Sequence, residues 1–144
     1  MVTGRPVPNP SLFPARPPAI APGTVALVDF PFSSAEPSGS QYKRRPALVL
    51  NAVGSGADEA IVFVMVTGSA ARLASPSASD IPVRDWQAVG LARESVVRTR
   101  RIWTGQKRDV VRAIGRFDAA TLELVRDMVV DLVSPQLAPK SDPA

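Results

Sequence analysis

A succession of short apolar, β-branched segments, each closed by turn residues, constrains this chain more than any other feature. Thr24-Val25-Ala26-Leu27-Val28-Asp29-Phe30 runs into Pro31, Ala47-Leu48-Val49-Leu50 follows Pro46, and Ala60-Ile61-Val62-Phe63-Val64-Met65-Val66 ends on Thr67. Branched and aromatic side chains crowd a helix but fit a pleated surface, so each segment reads as a strand. The second and third are apolar at successive positions, which predicts central strands covered on both faces. Asp80-Ile81-Pro82-Val83 reads as a short edge strand, because Pro82 cannot donate to a ladder. Glu94 to Trp103 and Asp109 to Arg116, the latter closed near Gly115, complete the set, and Gly54-Ser55-Gly56 marks a turn. Residues 33–40 and 68–79 read as loops, the second with room for a helical turn. One segment has a helical period: Asp118 can cap a helix whose core stripe is Leu122, Val125, Val129 and Leu132, with Leu124 and Met128 alongside. The pattern contains no βαβ unit and no repeat. It implies a mostly-β (α+β) domain, a small barrel or sandwich of five to seven strands with a C-terminal helix.

A chain of 144 residues suits one domain with one core. Residues 1–22 are broken by Pro6, Pro8, Pro10, Pro14, Pro17, Pro18 and Pro22, and read as a disordered or polyproline II arm without the apolar stretch of a signal peptide. The ordered domain is expected over residues 23–134, and residues 135–144 as a loose tail. With no apolar run near 18 residues, no membrane-spanning helix is expected. With no cysteine there is no disulfide framework, and a cytoplasmic location is expected.

The chain also has no histidine, which removes a Ser-His-Asp triad, His-ligated zinc and paired-histidine chemistry on RNA. Catalysis would have to use Arg, Lys, Thr, Ser, Asp, Glu or Tyr. Lys and Arg number 17 against 13 Asp and Glu, and much of the excess lies in Lys43-Arg44-Arg45 and between Arg93 and Arg116. Clustered guanidinium groups suit phosphate, which they bind with two parallel hydrogen bonds; a merely solvated face accounts for the same charges.

Five phrases, in order, resemble the PemK/MazF family of toxins. They are Gly23 to Ser33, with its Phe30-Pro31-Phe32-Ser33 turn; Lys43-Arg44-Arg45-Pro46-Ala47-Leu48-Val49-Leu50; Phe63-Val64-Met65-Val66-Thr67-Gly68-Ser69; Gly90-Leu91-Ala92-Arg93-Glu94-Ser95-Val96-Val97; and Ile114-Gly115-Arg116-Phe117. Thr24 departs from the acidic residue that often follows the family's first glycine. The resemblance spans residues 23–133 and implies an SH3-like barrel. It further implies a type II toxin-antitoxin toxin, a homodimeric endoribonuclease that cuts single-stranded mRNA without a metal or other cofactor and inhibits growth. An acidic, partly disordered antitoxin would block its groove, and DNA would be met only through that complex.

The family's catalytic positions fall on Arg45 and Thr67, with Ser69 as a second hydroxyl. RNA is cut when its 2′-hydroxyl attacks the adjacent phosphorus, giving a 2′,3′-cyclic phosphate and a 5′-hydroxyl. A guanidinium can hold the phosphoryl oxygens as charge develops, and a hydroxyl can add a hydrogen bond. Arg45 is thus an electrostatic stabiliser first and a proton donor second. RNA binding is expected from the loop Phe32 to Tyr42, with Phe32, Ser33, Tyr42, Lys43 and Arg44, and from Arg98, Arg100 and Arg101. Strict alternation would put Arg98 and Arg100 on one face, Thr99 and Arg101 on the other, leaving open which pair lines the groove. Tyr42 is the better base-stacking residue, whereas Phe32 and Trp103 read more readily as core, and Trp86 has no assigned role.

Two other functions fit such a barrel. A gyrase-poisoning toxin acts through terminal residues that include a tryptophan, and here no aromatic follows Phe117. An SH3-like interaction module needs an aromatic-lined groove, and this chain has one Tyr and two Trp.

Overall fold

The computed structural model describes residues 20–31 and 42–135. Among these residues six strands and two α-helices follow in the order β1 (Thr24–Pro31), β2 (Tyr42–Val53), β3 (Ala60–Thr67), α1 (Ala70–Ala74), β4 (Asp80–Val83), β5 (Ser95–Gly105), β6 (Val110–Arg116) and α2 (Ala119–Val133). All strand pairs are antiparallel and form one sheet in the order β4-β5-β3-β2-β1-β6. The mostly-β fold with a C-terminal helix is therefore present. β2 and β3 are interior and β4 is an edge, as their apolar patterns and Pro82 require. β2 is longer than its apolar centre suggests, because its charged start pairs with β1 from Pro31↔Tyr42 to Val25↔Leu48.

The two faces of the sheet bury separate apolar clusters. Leu48, Leu50, Val64, Val66 and Val97 join Val125 and Phe117 on one face, with Leu122 and Val129 of α2 packed against them. Ala47, Val49, Ile61 and Phe63 join Ala26, Val28 and Phe30 on the other, with Met65 and Trp103 at its margin. Burial on both sides explains the unbroken apolar runs of β2 and β3.

The sheet is bent by register shifts in three of its ladders. The largest lies between β3 and β5: Val64 pairs with Ile102 and Val66 with Val97, so residues 98–101 stand opposite Met65 alone. Extra residues on one strand raise the local twist and curl the sheet. The curl brings the segment after edge strand β4 onto the opposite edge, β6. Gly90 (φ 89°) and Gly115 meet there with almost no space between backbones: a Cβ on Gly115 would overlap the Val89 carbonyl, and one on Gly90 the Ile114 carbonyl. The two edges are thus bridged by a turn segment, with Val89 and Leu91 buried beneath it.

α2 starts at Asp118, whose carboxylate accepts from the Thr121 N–H at 3.2 Å and from its hydroxyl at 2.6 Å. The helical stripe is shorter than its period suggests. Val125 is fully buried, but Leu132, at the same azimuth two turns on, is 45% exposed. The last turn borders an open cavity with Ser79, Thr99 and Arg100 instead of the sheet interior. Leu124 is exposed because it lies about 100° round from Val125. Among the described residues no helix is long and apolar enough to cross a membrane.

Gly115→Ala should destabilise the fold by about 3 kcal/mol, since neither backbone can yield without moving a strand; urea unfolding would measure it. Asp118→Ala should lower the melting temperature. The Thr121 side-chain and backbone hydrogen bonds hold the Asp118 carboxyl below its ordinary 3.8. Its stabilisation is then complete above pH 3.8 and is lost as pH falls through the lowered folded value. Melts of the two proteins should differ at neutral pH and converge in strong acid.

Candidate functional site

The site forms where β3 ends. Alternation along β3 puts Thr67 on the same face as Phe63 and Met65, and the residue is only 6% exposed. Its Oγ1 accepts a hydrogen bond from the Ser69 N–H at 3.2 Å, which leaves the Thr67 hydroxyl proton available to another acceptor. Thr67 pairs with Val96 of β5, so Arg98, two residues on, shares its face. Asp80 of β4 pairs in turn with Arg98. The chain leaves β3 through Gly68 into α1, which brings Arg72 over the same ground. Thr67, Ser69, Ala71, Arg72, Ser75 and Arg98 line a cavity of about 310 Å³.

Its electrostatics are dominated by the two arginines. The Asp80 carboxylate, with its side chain 2% exposed, lies 3.7 Å from Arg72 Nη1 and accepts from the Ser77 N–H at 2.9 Å. At 3.7 Å the arginine contact is electrostatic more than a hydrogen bond. The Arg98 guanidinium has a buried Nε without a partner among the described residues. Burial, then the Arg72 and Arg101 cations, hold Arg98 below the ordinary arginine value, while Asp80 opposes them. Arg98 still carries its proton at neutral pH. One carboxylate thus serves two cavity cations, and the remaining polar groups are hydroxyls. Such a surface can receive an anion with several oxygens.

Arg45 is half-buried, stands opposite Val28 of β1 and shares the face of Val28 and Ala47. The β2–β3 ladder ends at Ala47↔Met65, beside Pro46, which has no N–H to give. Carried on for two residues, that register would set Arg45 opposite Thr67. Arg45 does not line the 310 Å³ cavity. Arg44 lies on the other face, paired with Asp29 at 3.1 Å.

The alternation expected along residues 98–101 does not hold. Arg98 faces the cavity of Thr67, but Arg100 borders the α2 cavity together with Thr99, and Arg101 is exposed. Thr99 is buried, its N–H and hydroxyl both donating to the Ser79 carbonyl. The cause is the bulge, which frees these residues from the pleat. Trp103 packs as core, its ring 5.0 Å from Phe30 and 5.4 Å from Phe63, and Trp86 packs at the edge of the other cluster. Phe32 and Ser33 lie outside the described residues, as do most of the proline arm and the tail. Tyr42 and Lys43 begin β2 opposite Pro31 and Phe30. Sequence reasoning missed Arg72. The available signal was that it is the single charged residue between positions 60 and 79.

With this geometry in view, the chain matches a family model over residues 21–133: the PemK-like, MazF-like toxin of type II toxin-antitoxin systems. The chain belongs to that family. Among solved structures it resembles the Mycobacterium tuberculosis toxin MazF-mt6, at 17% identity and a TM-score of 0.51, over 75% of this chain and 93% of that one. At that identity the likeness concerns the fold. No curated protein matches the chain.

Removing the Asp80 carboxylate should leave Arg72 and Arg98 without their counter-charge. Asp80→Ala is expected to cost about 2 kcal/mol of stability. Combining it with Arg72→Ala should cost less than the sum of the two single changes, as a double-mutant cycle by chemical denaturation would show.

Proposed function

We propose that this protein is the toxin of a type II toxin-antitoxin pair and acts as a metal-independent endoribonuclease on single-stranded RNA. The observation that carries the reading is the cationic, hydroxyl-lined cavity at the end of β3, in a chain of the PemK/MazF family. Thr67 and Ser69 line it with Arg72 and Arg98, and Arg45 stands on the same face one strand away.

The reaction needs no water. The 2′-oxygen attacks the adjacent phosphorus, the bond from phosphorus to the 5′-oxygen breaks, and the 2′-hydroxyl proton is lost as the leaving 5′-oxygen gains one. The products are a 2′,3′-cyclic phosphate and a 5′-hydroxyl. Arg45 stabilises charge on the phosphoryl oxygens and stands ready to protonate the leaving oxygen. Thr67 donates its hydroxyl to the same oxygens, being already oriented by the Ser69 N–H. Arg100 and Arg101 add long-range attraction for the RNA backbone. The active unit is a homodimer whose groove an acidic antitoxin segment occupies when growth is permitted.

Purified protein incubated with long single-stranded RNA in EDTA should give discrete cuts with 5′-hydroxyl ends. Arg45→Ala and Thr67→Ala should each slow cleavage on the order of a hundredfold while circular dichroism stays unchanged. Wild-type rates in Arg45→Ala would remove that residue from the chemistry. Absence of cutting on several diverse RNAs would favour a protein-binding toxin.

A further inference from the structure

The guanidinium groups of Arg72 and Arg98 and the hydroxyls of Ser69 and Ser75, all in the β3-end cavity, have no task in the chemistry described above. Arg98 reaches the cavity from the regular ladder beside Asp80, and Arg72 because α1 folds back beside the same carboxylate. The cavity extends from Thr67 toward α1 and β5, and Arg45 is not among its walls. Asp80 accepts from the Ser77 N–H and lies 3.7 Å from Arg72, so this one carboxylate offsets the Arg98 charge only in part. The Arg98 Nε–H is buried and unpartnered among the described residues. A buried donor without an acceptor is costly, and an anionic oxygen is the acceptor a guanidinium fork fits best.

We propose that Arg72 and Arg98, with Ser69 and Ser75, bind a second backbone phosphate of the RNA, next to the one that is cut. The inference rests on the ribonuclease reading and names how the strand is held. The scissile phosphate sits between Thr67 and Arg45; the adjoining one enters the cavity and meets both guanidinium groups. Binding there fixes the strand on either side of Thr67, which aligns the 2′-oxygen with the breaking bond.

The test uses an RNA that the protein cuts, remade with 2′-O-methyl riboses so that it binds without reacting, and follows affinity by fluorescence anisotropy across salt concentrations. Arg98→Gln should weaken binding about tenfold. It should also make the salt dependence shallower by about 0.7, the value for one phosphate contact on a single strand. Replacing phosphates one at a time by uncharged methylphosphonates should then reveal one linkage, beside the cut, whose neutralisation weakens the wild type and leaves Arg98→Gln unaffected. Arg72→Gln should show the same insensitivity at that linkage, and Arg98→Lys should recover part of the salt slope. Thermal melts of all variants report folding.

Unchanged affinity and slope in a folded Arg98→Gln would overturn the proposal while cutting by the wild type leaves the ribonuclease reading standing. Weaker binding with no such silent linkage would mean a structural role and overturn it too. Insensitivity confined to the cut linkage would instead put the scissile phosphate in this cavity. Stabilisation by inorganic phosphate that depends on Arg98, without an effect on RNA affinity, would assign the cavity to free phosphate. A wild-type protein that neither binds nor cuts any RNA would remove both readings.

Discussion

Strand β3 sends Ile61, Phe63 and Met65 to one apolar cluster and Val62, Val64 and Val66 to the other. A slip of one residue would exchange the two sets and put Phe63 and Met65 where valines fit, so the register of β3 against both neighbours is fixed by side-chain volume on its two faces. From that constraint the rest of the site follows. Thr67 inherits the face of Phe63 and Met65 and ends its strand against Val96, among groups that the neighbouring strands present on the same face. A hydroxyl at the end of so tightly specified a strand is held by the core, and its hydrogen bond to Ser69 only finishes the orientation.

The positive charge of the site is arranged around a single buried carboxylate. Asp80 joins three pieces of chain: the turn through Ser77, α1 through Arg72, and β5 through its pairing with Arg98. Bringing two guanidinium groups into a partly desolvated cavity is unfavourable, as the lowered proton affinity of Arg98 reflects. One acid lessens that repulsion without abolishing it, and the surface keeps its appetite for an anion.

Local pattern foretold the fold wherever the ladder is regular. The double-sided runs of β2 and β3, the edge position of β4 and the helix cap at Asp118 each follow from a residue type whose physical preference has one outcome. It did not foretell what depends on distance along an element or on a departure from the pleat. Leu132 has the right azimuth but lies beyond the sheet, and residues 98–101 alternate in sequence but not in space. Of the candidate site, the grouping of Thr67, Ser69 and Arg98 matches residues named from sequence. Arg72 came from a stretch read as a loop with room for a helical turn, and its place depends on Asp80, eight residues away.

The bulge in β5 has a consequence for how this protein can change over time. On either side of residues 99–101 the pairings are set, Ser95 to Arg98 against β4 and Ile102 to Gly105 against β3. Between them the chain already carries more residues than its partner strand can match. A deletion or insertion inside that stretch alters the slack without displacing either flanking ladder. Within a regular ladder, a change of length would move every following side chain to the other face. One of the two most basic stretches of the chain is therefore also a part of the sheet where length has slack, a natural place for lineages to diverge in what they hold.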